Sequence, residues 1–263
     1  MLIIGGGLAG MTAGRALAKA GFPVTLLEGS ARLGGKAGAD ISGGRAFEHG
    51  YHIFPAWYRN VRGLLAELGI SLIDFDRWHY LKPEGESPRY VTQSVPDSLT
   101  SLLKMLRTGL LPWPDALLYW YFVLDMLGQP LSNKAVLDQV SRVGMMRDRW
   151  YMTKHIPEME QENVLKASAI PAYEMSAMTA KLISSFWVRA PMPFLSILKG
   201  DLQSHFIEPY AATVRAAGVN VRLNEKVTKL VTTGGRISEV QSTGGSYHPE
   251  LVLVTTPLEV TRK

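Results

Sequence analysis

Three glycines and one acidic residue near the start of the chain have the types and spacing of a nucleotide site. Gly5, Gly7 and Gly10 fit the pattern G-x-G-x-x-G, and Glu28 follows 18 residues after Gly10. In this pattern the first glycine permits a tight turn, the second lets the backbone approach a pyrophosphate, and the third lets helix and strand pack closely. An acidic residue about 20 positions later binds ribose hydroxyls, and its charge repels a 2′-phosphate. The spacing therefore predicts a dinucleotide site that prefers a free 2′-hydroxyl.

The elements predicted around these residues are those that such a site needs. Residues 2–4 form a short apolar run, residues 13–20 repeat small and apolar side chains at helical spacing, and residues 23–27 form a second β-rich run. A helix that begins at the glycines offers the unpaired N–H groups of residues such as Leu8 and Ala9, and a partial positive charge, to phosphates. The order of strand, glycine turn, helix, strand and acid thus predicts a Rossmann-like unit.

A P-loop is the competing phosphate motif, and the sequence excludes it. A P-loop that ended at Lys36 would need glycine at positions 30 and 35 and Ser or Thr at position 37. The chain has Ser30 and Ala37 at two of these positions.

The composition and the missing motifs narrow the class of protein further. A chain of 263 residues with 46% apolar residues is long enough to bury a core. The lack of cysteine excludes disulfides, thiolate nucleophiles and most structural zinc sites. The 28 basic residues exceed the 23 acidic ones but form no basic block, so nucleic acid is not expected as a partner. Without a secretory signal, an apolar run of about 18 residues or a G-x-S-x-G motif, the sequence predicts a cytoplasmic protein that is neither membrane-spanning nor a hydrolase.

The segment after the acidic residue resembles the flavin motif of the FAD-dependent amine oxidase and carotenoid desaturase superfamily. It contains Gly29, the basic residue Arg32 and the turn Gly34-Gly35-Lys36. The resemblance implies that this second glycine turn and its basic neighbours lie along the FAD pyrophosphate and towards the flavin. Arg32 suits that place because it can hold a phosphate through two parallel hydrogen bonds, whereas Lys36 stands where many relatives have Arg. FAD is therefore the expected cofactor.

Further along the chain the resemblance narrows to one branch of the superfamily. The stretch Glu48–Phe54 is similar to the glycine-x-histidine-x-phenylalanine stretch of phytoene and ζ-carotene desaturases and of related squalene-type flavoenzymes, which implies that Gly50 and His52 lie near the flavin. The Trp113-Pro114-Asp115 element resembles theirs as well. The strand near Val227 resembles the one whose backbone contacts the adenine. A metal site at His49 and His52 is not expected because no third ligand follows at a suitable spacing.

The resemblance also implies a fold and a domain organisation. We expect an α/β protein with an FAD-binding Rossmann-like domain, of the kind found in flavoproteins with two dinucleotide-binding domains, and an inserted, mainly helical substrate domain. The FAD domain would comprise residues 1–76 and 200–263, and the insertion residues 77–199. Family members are longer at the C-terminus, so a partner chain that supplies the remaining part is one expectation.

The middle of the chain is predicted to be helical and apolar. Leucines follow one stripe over residues 98–111, and residues 116–127 are almost wholly apolar and aromatic. These helices either form the core of a cap that lines an apolar pocket, or contact a membrane interface through residues 98–127. The resemblance to enzymes that take a polyene from the bilayer favours peripheral membrane contact.

Three functions remain open from the sequence. The first is an FAD-dependent oxidoreductase that dehydrogenates an apolar, isoprenoid-like small molecule by hydride transfer to the flavin. The second is an FAD-dependent amine oxidase, and the third is a non-catalytic or split subunit that needs a partner to complete its fold. The one candidate for a catalytic base is His205, which lies where some desaturases place a basic residue, although a surface histidine is the alternative. The expected cofactor-binding residues are Gly5, Gly7, Leu8, Ala9, Gly10, Glu28, Gly29, Arg32, Gly34, Gly35, Lys36, Gly50, His52 and Val227.

Overall fold

The computed structural model describes residues 1–50, 52–75, 77–82, 89–94, 112–147, 149–189 and 195–261. In chain order the helices are α1 (Leu8–Lys19), α2 (Arg59–Glu67), α3 (Trp113–Gly128), α4 (Lys134–Gln139), α5 (Arg142–Met146), α6 (His155–Ser168), α7 (Ala177–Arg189), α8 (Glu208–Ala216) and α9 (Leu258–Thr261). The strands are β1 (Leu2–Ile4), β2 (Thr25–Leu27), β3 (Asp40–Ser42), β4 (Arg45–Phe47), β5 (Leu72–Asp74), β6 (Arg77–Lys82), β7 (Arg89–Ser94), β8 (Ser196–Leu198), β9 (Asn220–Arg222), β10 (Val227–Thr233), β11 (Arg236–Ser242), β12 (Gly245–Tyr247) and β13 (Val252–Val254).

The chain divides into two compact units. Unit 1 consists of Met1–Phe54, Arg59–Ile73 and Ile197–Lys263, and unit 2 consists of Pro55–Tyr58 and Asp74–Ser196. Unit 1 therefore contains both ends of the sequence and is interrupted by unit 2. Unit 2 takes in most of the stretch that the sequence predicts as an insertion.

A parallel sheet forms the centre of unit 1. Within the described residues, four strands pair in the order β13, β1, β2, β9. The register places Ile3 beside Leu26 of β2 and Leu253 of β13. Because side chains alternate across a strand, Ile3 faces one side of the sheet, and Leu2 and Ile4 face the other. This sheet confirms the Rossmann-like α/β fold expected from the sequence.

The two faces of the sheet are covered by different elements. On one face, Ile3 and Leu26 pack in a cluster with Met11 of α1 and Val214 of α8. The opposite face packs against Val240 of β11. Burial on both faces explains why the central strands consist almost entirely of apolar residues, as is usual for parallel sheets. Unit 1 is thus built in three layers of helices, parallel sheet and antiparallel strands.

Glycine pairs form two of the hairpin turns of unit 1. Gly234 and Gly235, with φ of 57° and 77°, join β10 to β11 in the antiparallel sheet β10-β11-β12. Gly43 and Gly44, with φ of 56° and 73°, join β3 to β4. Positive φ at both central residues matches the twist of a two-residue hairpin, which favours glycine there. Strand β10 confirms the strand that the sequence predicts near Val227, whereas the β3–β4 hairpin was not predicted.

The insertion is not helical from its start, which corrects one expectation. Strands β6 and β7 pair as an antiparallel hairpin in the range predicted to begin the helical stretch. The run Arg89–Ser94 contains Tyr90, Val91 and Thr92, and aromatic or β-branched side chains of this kind favour an extended backbone. From α3 to α7 the helical prediction is confirmed. The predicted leucine stripe over residues 98–111 lies outside the described residues.

None of the helices in the described ranges combines the length and the apolar character that crossing a bilayer requires. Among the helices described in unit 2, α3 is the longest, with 16 residues. This agrees with the sequence, in which no apolar run reaches about 18 residues.

A buried ion pair joins three helices of unit 2. Arg142 of α5 and Glu160 of α6 are 3% and 4% exposed, and the Arg142 Nε donates to Glu160 Oε2 at 3.0 Å. The hydroxyl of Tyr119 on α3 donates to the other carboxylate oxygen at 2.8 Å. The guanidinium carbon also lies 4.4 Å from the ring centroid of Phe122, a cation–π contact. Each charge is thus paired and hydrogen-bonded, as burial requires.

A buried lysine ties a further helix to the end of α3. The Nζ of Lys181 on α7 donates to the carbonyl oxygens of Met126 and Leu127, at 3.2 and 2.6 Å. The Met126 carbonyl also accepts from Gln129 N at 3.3 Å, and the ammonium group adds a charged donor to both carbonyls at this helix end. Burial lowers the pKa of Lys181.

We predict that Arg142→Met destabilises unit 2 by about 3–5 kcal/mol, because the Glu160 carboxylate stays buried without a counter-charge. The double variant Arg142→Met and Glu160→Met should recover most of this loss, since an apolar pair replaces an ion pair at little net cost. Urea unfolding measures both variants. Arg149→Met is the control, because the exposed Arg149 lies 4.0 Å from the half-buried Asp125, and the loss of this long ion pair should change stability by less than about 1 kcal/mol. Equal losses of unfolding free energy in Arg142→Met and Arg149→Met would contradict the prediction.

The carboxylate of Glu225, at the base of the β10 to β12 sheet, has a pKa below its ordinary value. Hydrogen bonds from Ser242 Oγ (2.7 Å) and then from Tyr247 Oη (2.6 Å) stabilise the charged form and lower this pKa. The group is buried, and its backbone N–H donates to the carbonyl of Glu28 at 2.8 Å. The contact therefore joins the antiparallel sheet to the end of β2.

The Tyr247→Phe variant should lose about 1–3 kcal/mol of unfolding free energy at pH 7, because it removes a hydrogen bond to a charged group. A lowered folded-state pKa gives stability that is present above the unfolded pKa, about 4.3, and is lost as the pH falls through the folded value. The gap between wild type and variant should therefore narrow below about pH 4. Urea unfolding at pH 7, 5 and 3.5 measures it, with the exposed Tyr173→Phe as control. A stability difference between wild type and Tyr247→Phe that does not change with pH would contradict the role of this hydrogen bond in lowering the pKa of Glu225.

Candidate cofactor site

The first glycine turn lies between β1 and α1 and depends on close backbone contact. Gly5 has a φ of 107°, and its N–H donates to the carbonyl of Leu27 on β2 at 2.9 Å. A Cβ at Gly10 would lie 1.9 Å from the Gly5 carbonyl oxygen. Both positions therefore require glycine, one for its conformation and the other for space. The turn brings the first residues of α1 directly to the carboxyl end of β1.

A second glycine turn lies against the first. The N–H of Gly34 donates to the carbonyl of Gly6 at 2.9 Å, and Gly7 and Gly34 form an isolated parallel bridge. Gly34 and Gly35 have φ of 122° and 56°, so this turn also needs glycine. The nearest atoms to a Cβ built at Gly7 would be Gly34 O and Gly35 Cα, both at 4.0 Å. The two turns thus leave a small gap at Gly7, bordered by backbone.

The start of α1 supplies hydrogen-bond donors beside this gap. Gly7 is the N-cap, and no side chain caps the helix. The first helical bond in this turn runs from Met11 N to Gly7 O at 3.0 Å, so the N–H groups of Leu8, Ala9 and Gly10 have no partner within the helix. Uncapped N–H groups and the helix dipole favour an anion at this end. The backbone-lined gap and these donors fit a pyrophosphate.

The carboxylate of Glu28 lies at the end of β2, beside the first glycine turn. Its Oε2 accepts from Gly6 N at 2.6 Å, and its Oε1 accepts from the N–H and the hydroxyl of Ser30, both at 2.9 Å. The side chain is half-buried. Glu28 therefore both holds the turn and presents a carboxylate at the position where a ribose would bind. The supporting Ser30 was not predicted, although a serine two residues after an acidic residue is a common local hydrogen-bond partner.

The basic residues of the second turn differ in their surroundings. Arg32 forms an ion pair with Asp40, and the side chain of Arg32 is 40% exposed. Lys36 lies in a short 3-10 turn, Gly35–Ala37, and is exposed. Gly29 is also exposed, next to Lys226. Their predicted contact with a pyrophosphate stays a prediction, and for Arg32 it would compete with the Asp40 carboxylate.

The segment that returns to unit 1 packs beneath the second glycine turn. Cβ atoms built at Gly34 and Gly38 would lie 3.1 Å from Ile207 Cγ2 and 2.9 Å from Gln203 Oε1. Gln203 belongs to the π-helical turn Gln203–Ile207, which precedes α8. Its Oε1 is buried and has no hydrogen-bond partner in the described part of the chain. The sequence analysis did not identify this residue, because its position depends on the packing of distant segments.

Glu48 and His52 form a hydrogen-bonded pair beside this returning segment. Glu48 Oε2 lies 2.9 Å from His52 Nδ1, and Glu48 Oε1 accepts from Leu202 N at 2.7 Å. Gly50, between them in sequence, is exposed. The sequence pointed to Gly50 and His52, whereas the role of Glu48 as a hydrogen-bond acceptor emerges only from the structure.

His205 and Val227 are placed differently from the glycine turns. His205 Nδ1 lies 3.4 Å from Asp201 Oδ2 on the same turn, and its ring packs so closely on Gly200 that a Cβ there would lie 2.2 Å away. His205 is half-exposed. Val227 is half-buried at the start of β10, where it pairs with Ser242. Among the described residues, no group of three or more His, Cys, Asp or Glu side chains is arranged to hold a metal ion.

Comparison with known proteins assigns the family. Residues 8–263 match the family described as "Flavin containing amine oxidoreductase". The 15-cis-phytoene desaturase of Solanum lycopersicum is 25% identical over 279 residues, which cover 99% of this chain and 46% of the relative. The 15-cis-phytoene desaturase of Arabidopsis thaliana is 28% identical over 264 residues, covering 94% of this chain and 45% of the relative. The chain thus spans about half the length of the curated relatives it matches.

A solved structure supports the fold. A putrescine oxidase variant, in a study of cofactor-binding redesign, superposes with a TM-score of 0.68 at 19% identity and covers 97% of this chain and 57% of its own. The superposition takes in nearly the whole chain, and FAD is the cofactor that the matched family supports. Given a family match over almost the whole sequence and paired glycine turns that fit a dinucleotide, the chain belongs to the flavin containing amine oxidoreductase family.

Proposed function

We propose that this chain is the FAD-binding and substrate-positioning part of an oxidoreductase that dehydrogenates an apolar, isoprenoid-like molecule. One observation carries the proposal: two glycine turns lie side by side, leave a gap at Gly7, and have an acidic residue at the end of the adjacent strand. This arrangement suits a dinucleotide whose pyrophosphate approaches the backbone and whose ribose meets Glu28.

The residues of unit 1 have distinct tasks in this proposal. The free N–H groups at the start of α1 bind the pyrophosphate, and Glu28 binds ribose hydroxyls. Arg32 and Lys36 add positive charge beside the second turn, and Val227 offers backbone atoms to the adenine. When bound, FAD supplies the hydride acceptor, so the protein contributes orientation and exclusion of water.

The substrate class rests on the similarity to 15-cis-phytoene desaturases. A polyene requires an apolar site, whereas an amine substrate would require acidic and aromatic groups. The matched desaturases therefore favour a carotenoid-type dehydrogenation over the amine oxidase alternative.

We also propose that further chain covers one edge of the parallel sheet. Strand β13 lies at the edge of the sheet in the described residues, and an unpaired edge is usually covered or blocked. Leu251, Leu258 and Val260 near it are more than half exposed. The additional residues would belong either to the same polypeptide or to a partner subunit.

An exposed aromatic stripe on α3 supports contact with a membrane interface. Trp113, Leu117, Tyr121 and Leu124 recur along one side of the helix and are exposed. Trp150, at 77% exposure, packs on Tyr121 with ring centroids 5.3 Å apart. Monomeric proteins seldom expose a contiguous patch of this kind, and aromatic side chains are favoured at the headgroup level of a bilayer. We propose that this stripe is the described part of the membrane-contact segment 98–127.

The Gly7→Ala variant tests the cofactor site. Its Cβ would have space in the folded chain but would fill the gap between the glycine turns, so we expect a folded protein that no longer retains FAD. The visible spectrum after incubation with FAD and desalting measures retention, and circular dichroism checks the fold. Gly63→Ala is the matched control, because a Cβ there meets nothing within 4 Å, and it should retain FAD.

A Gly7→Ala variant that retains FAD like wild type would overturn the proposed site. A wild-type chain that folds but never retains FAD would overturn stand-alone cofactor binding and favour the split-subunit alternative.

The Leu124→Glu variant tests the membrane stripe. A charge on an interfacial apolar face disfavours insertion, so binding to phosphatidylcholine vesicles in a flotation assay should fall by about tenfold or more. Val136→Glu is the control, since Val136 is 64% exposed on α4 but lies outside the stripe. Equal vesicle binding by wild type and Leu124→Glu would contradict the proposed contact.

A further inference from the structure

The carboxylate of Glu48 is held by two donors from different parts of unit 1. Its Oε1 accepts from Leu202 N, at the first turn of the returning helical segment, and its Oε2 faces His52 Nδ1. An ionised carboxylate accepts hydrogen bonds and donates none. The proton on the ring of His52 must therefore be on Nδ1, which leaves the lone pair on Nε2 in the neutral imidazole.

The second ring nitrogen is available for chemistry. Nε2 of His52 has no hydrogen-bond partner among the described residues, and the side chain is 32% exposed. A neutral imidazole nitrogen with a free lone pair can accept a proton from a bound molecule and so act as a general base. The negative charge of Glu48 would then stabilise the imidazolium that results.

Contacts within unit 1 link this pair to the second glycine turn. Glu48 binds Leu202, the next residue Gln203 packs against Gly38, and Ile207 packs against Gly34. Gly34 in turn bridges Gly7 at the gap that fits a pyrophosphate. Each of these residues is in contact with the next, so the position of His52 is fixed relative to the cofactor turns.

We propose that His52 is the proton acceptor of the dehydrogenation and that Glu48 is the positioning residue that holds its tautomer. This inference rests on the proposed function and names a residue role within it. His205, the candidate from sequence, has its Nδ1 beside Asp201 on its own turn and packs on Gly200, without contact to the glycine turns in the described residues.

The step balances with a flavin as the oxidant. One C–H bond of the substrate breaks, and its hydrogen transfers to the flavin with both bonding electrons, as hydride. A C–H bond on the adjacent carbon breaks, its electron pair forms the new C=C bond, and its proton moves to Nε2 of His52. The imidazolium then releases this proton to solvent, which reaches the partly exposed ring.

The Glu48→Gln variant tests the tautomer directly. A glutamine at this position accepts from Leu202 N through its carbonyl oxygen, because two N–H groups would repel one another. Its NH₂ group must then face His52 Nδ1, which becomes an acceptor, so the ring proton moves to Nε2. The variant keeps the size of the side chain and both contacts, but it reverses the direction of one hydrogen bond and removes the negative charge.

Long-range ¹H–¹⁵N NMR of the chain with labelled histidine measures which ring nitrogen carries the proton. The chain has six histidines, and His52→Gln assigns the signals of His52 by their loss. We expect the proton on Nδ1 in wild type and on Nε2 in Glu48→Gln. Asp201→Asn is the matched control, because it alters the other i,i+4 pair and should leave the signals of His52 unchanged. A wild-type ring protonated on Nε2, or an unchanged tautomer in Glu48→Gln, would overturn the positioning role.

Two further measurements test the role towards the cofactor and substrate. Addition of FAD to wild type should shift the Nε2 signal of His52 more than the signals of His205. Anaerobic reduction of the bound flavin by 15-cis-phytoene in vesicles should have a limiting rate constant about 100-fold lower in Glu48→Gln, with the phytoene concentration for half-maximal rate little changed. Retained FAD with an unshifted His52, or an unchanged limiting rate constant, would overturn only the proton-acceptor role. A chain that retains no FAD overturns that role together with stand-alone cofactor binding, whereas the tautomer of His52 in the wild-type chain is measured without cofactor.

Discussion

The organisation of unit 1 depends on how closely two segments of backbone approach one another. A side chain at Gly10 would overlap the Gly5 carbonyl oxygen, so the helix α1 starts directly at the end of β1 only because both residues lack one. The second turn is hydrogen-bonded to the first through Gly34 and Gly6. Once these turns are in contact, the N-terminus of α1, the end of β2 and the returning helix converge on one point. The candidate site is therefore a product of backbone packing, with few side chains that take part directly.

The three-layer packing of unit 1 explains why such short strands are stable. Strands β1, β2 and β13 have three residues each, yet they are covered by α1 and α8 on one face and by the β10 to β12 sheet on the other. Glu225 and Glu28 are joined by a backbone hydrogen bond where these layers meet. Since the antiparallel sheet is attached to the strand that carries Glu28, its packing also fixes the carboxylate at the cofactor site.

Local patterns were sufficient to predict the nucleotide-binding half of the site. The glycines, α1, β2 and Glu28 lie within 28 consecutive residues, and each has a conformational or chemical reason that depends only on near neighbours. Glu48 and Gln203 were not predicted, because Glu48 meets Leu202 across a separation of 154 residues and no local pattern encodes this contact.

The β6–β7 hairpin was mistaken for helix, since the apolar helices that follow it dominated the pattern. The Arg142 and Glu160 pair likewise depends on tertiary packing of three helices.

The hydrogen bonds of Glu28 bear on the entropic cost of binding a nucleotide. The carboxylate is already held by Gly6 N and by Ser30, so its orientation is set by the chain itself. A side chain that is already held in one orientation loses little conformational entropy when a ligand meets it. Glu28 is therefore preorganised for a ribose, and little affinity is lost to ordering its carboxylate.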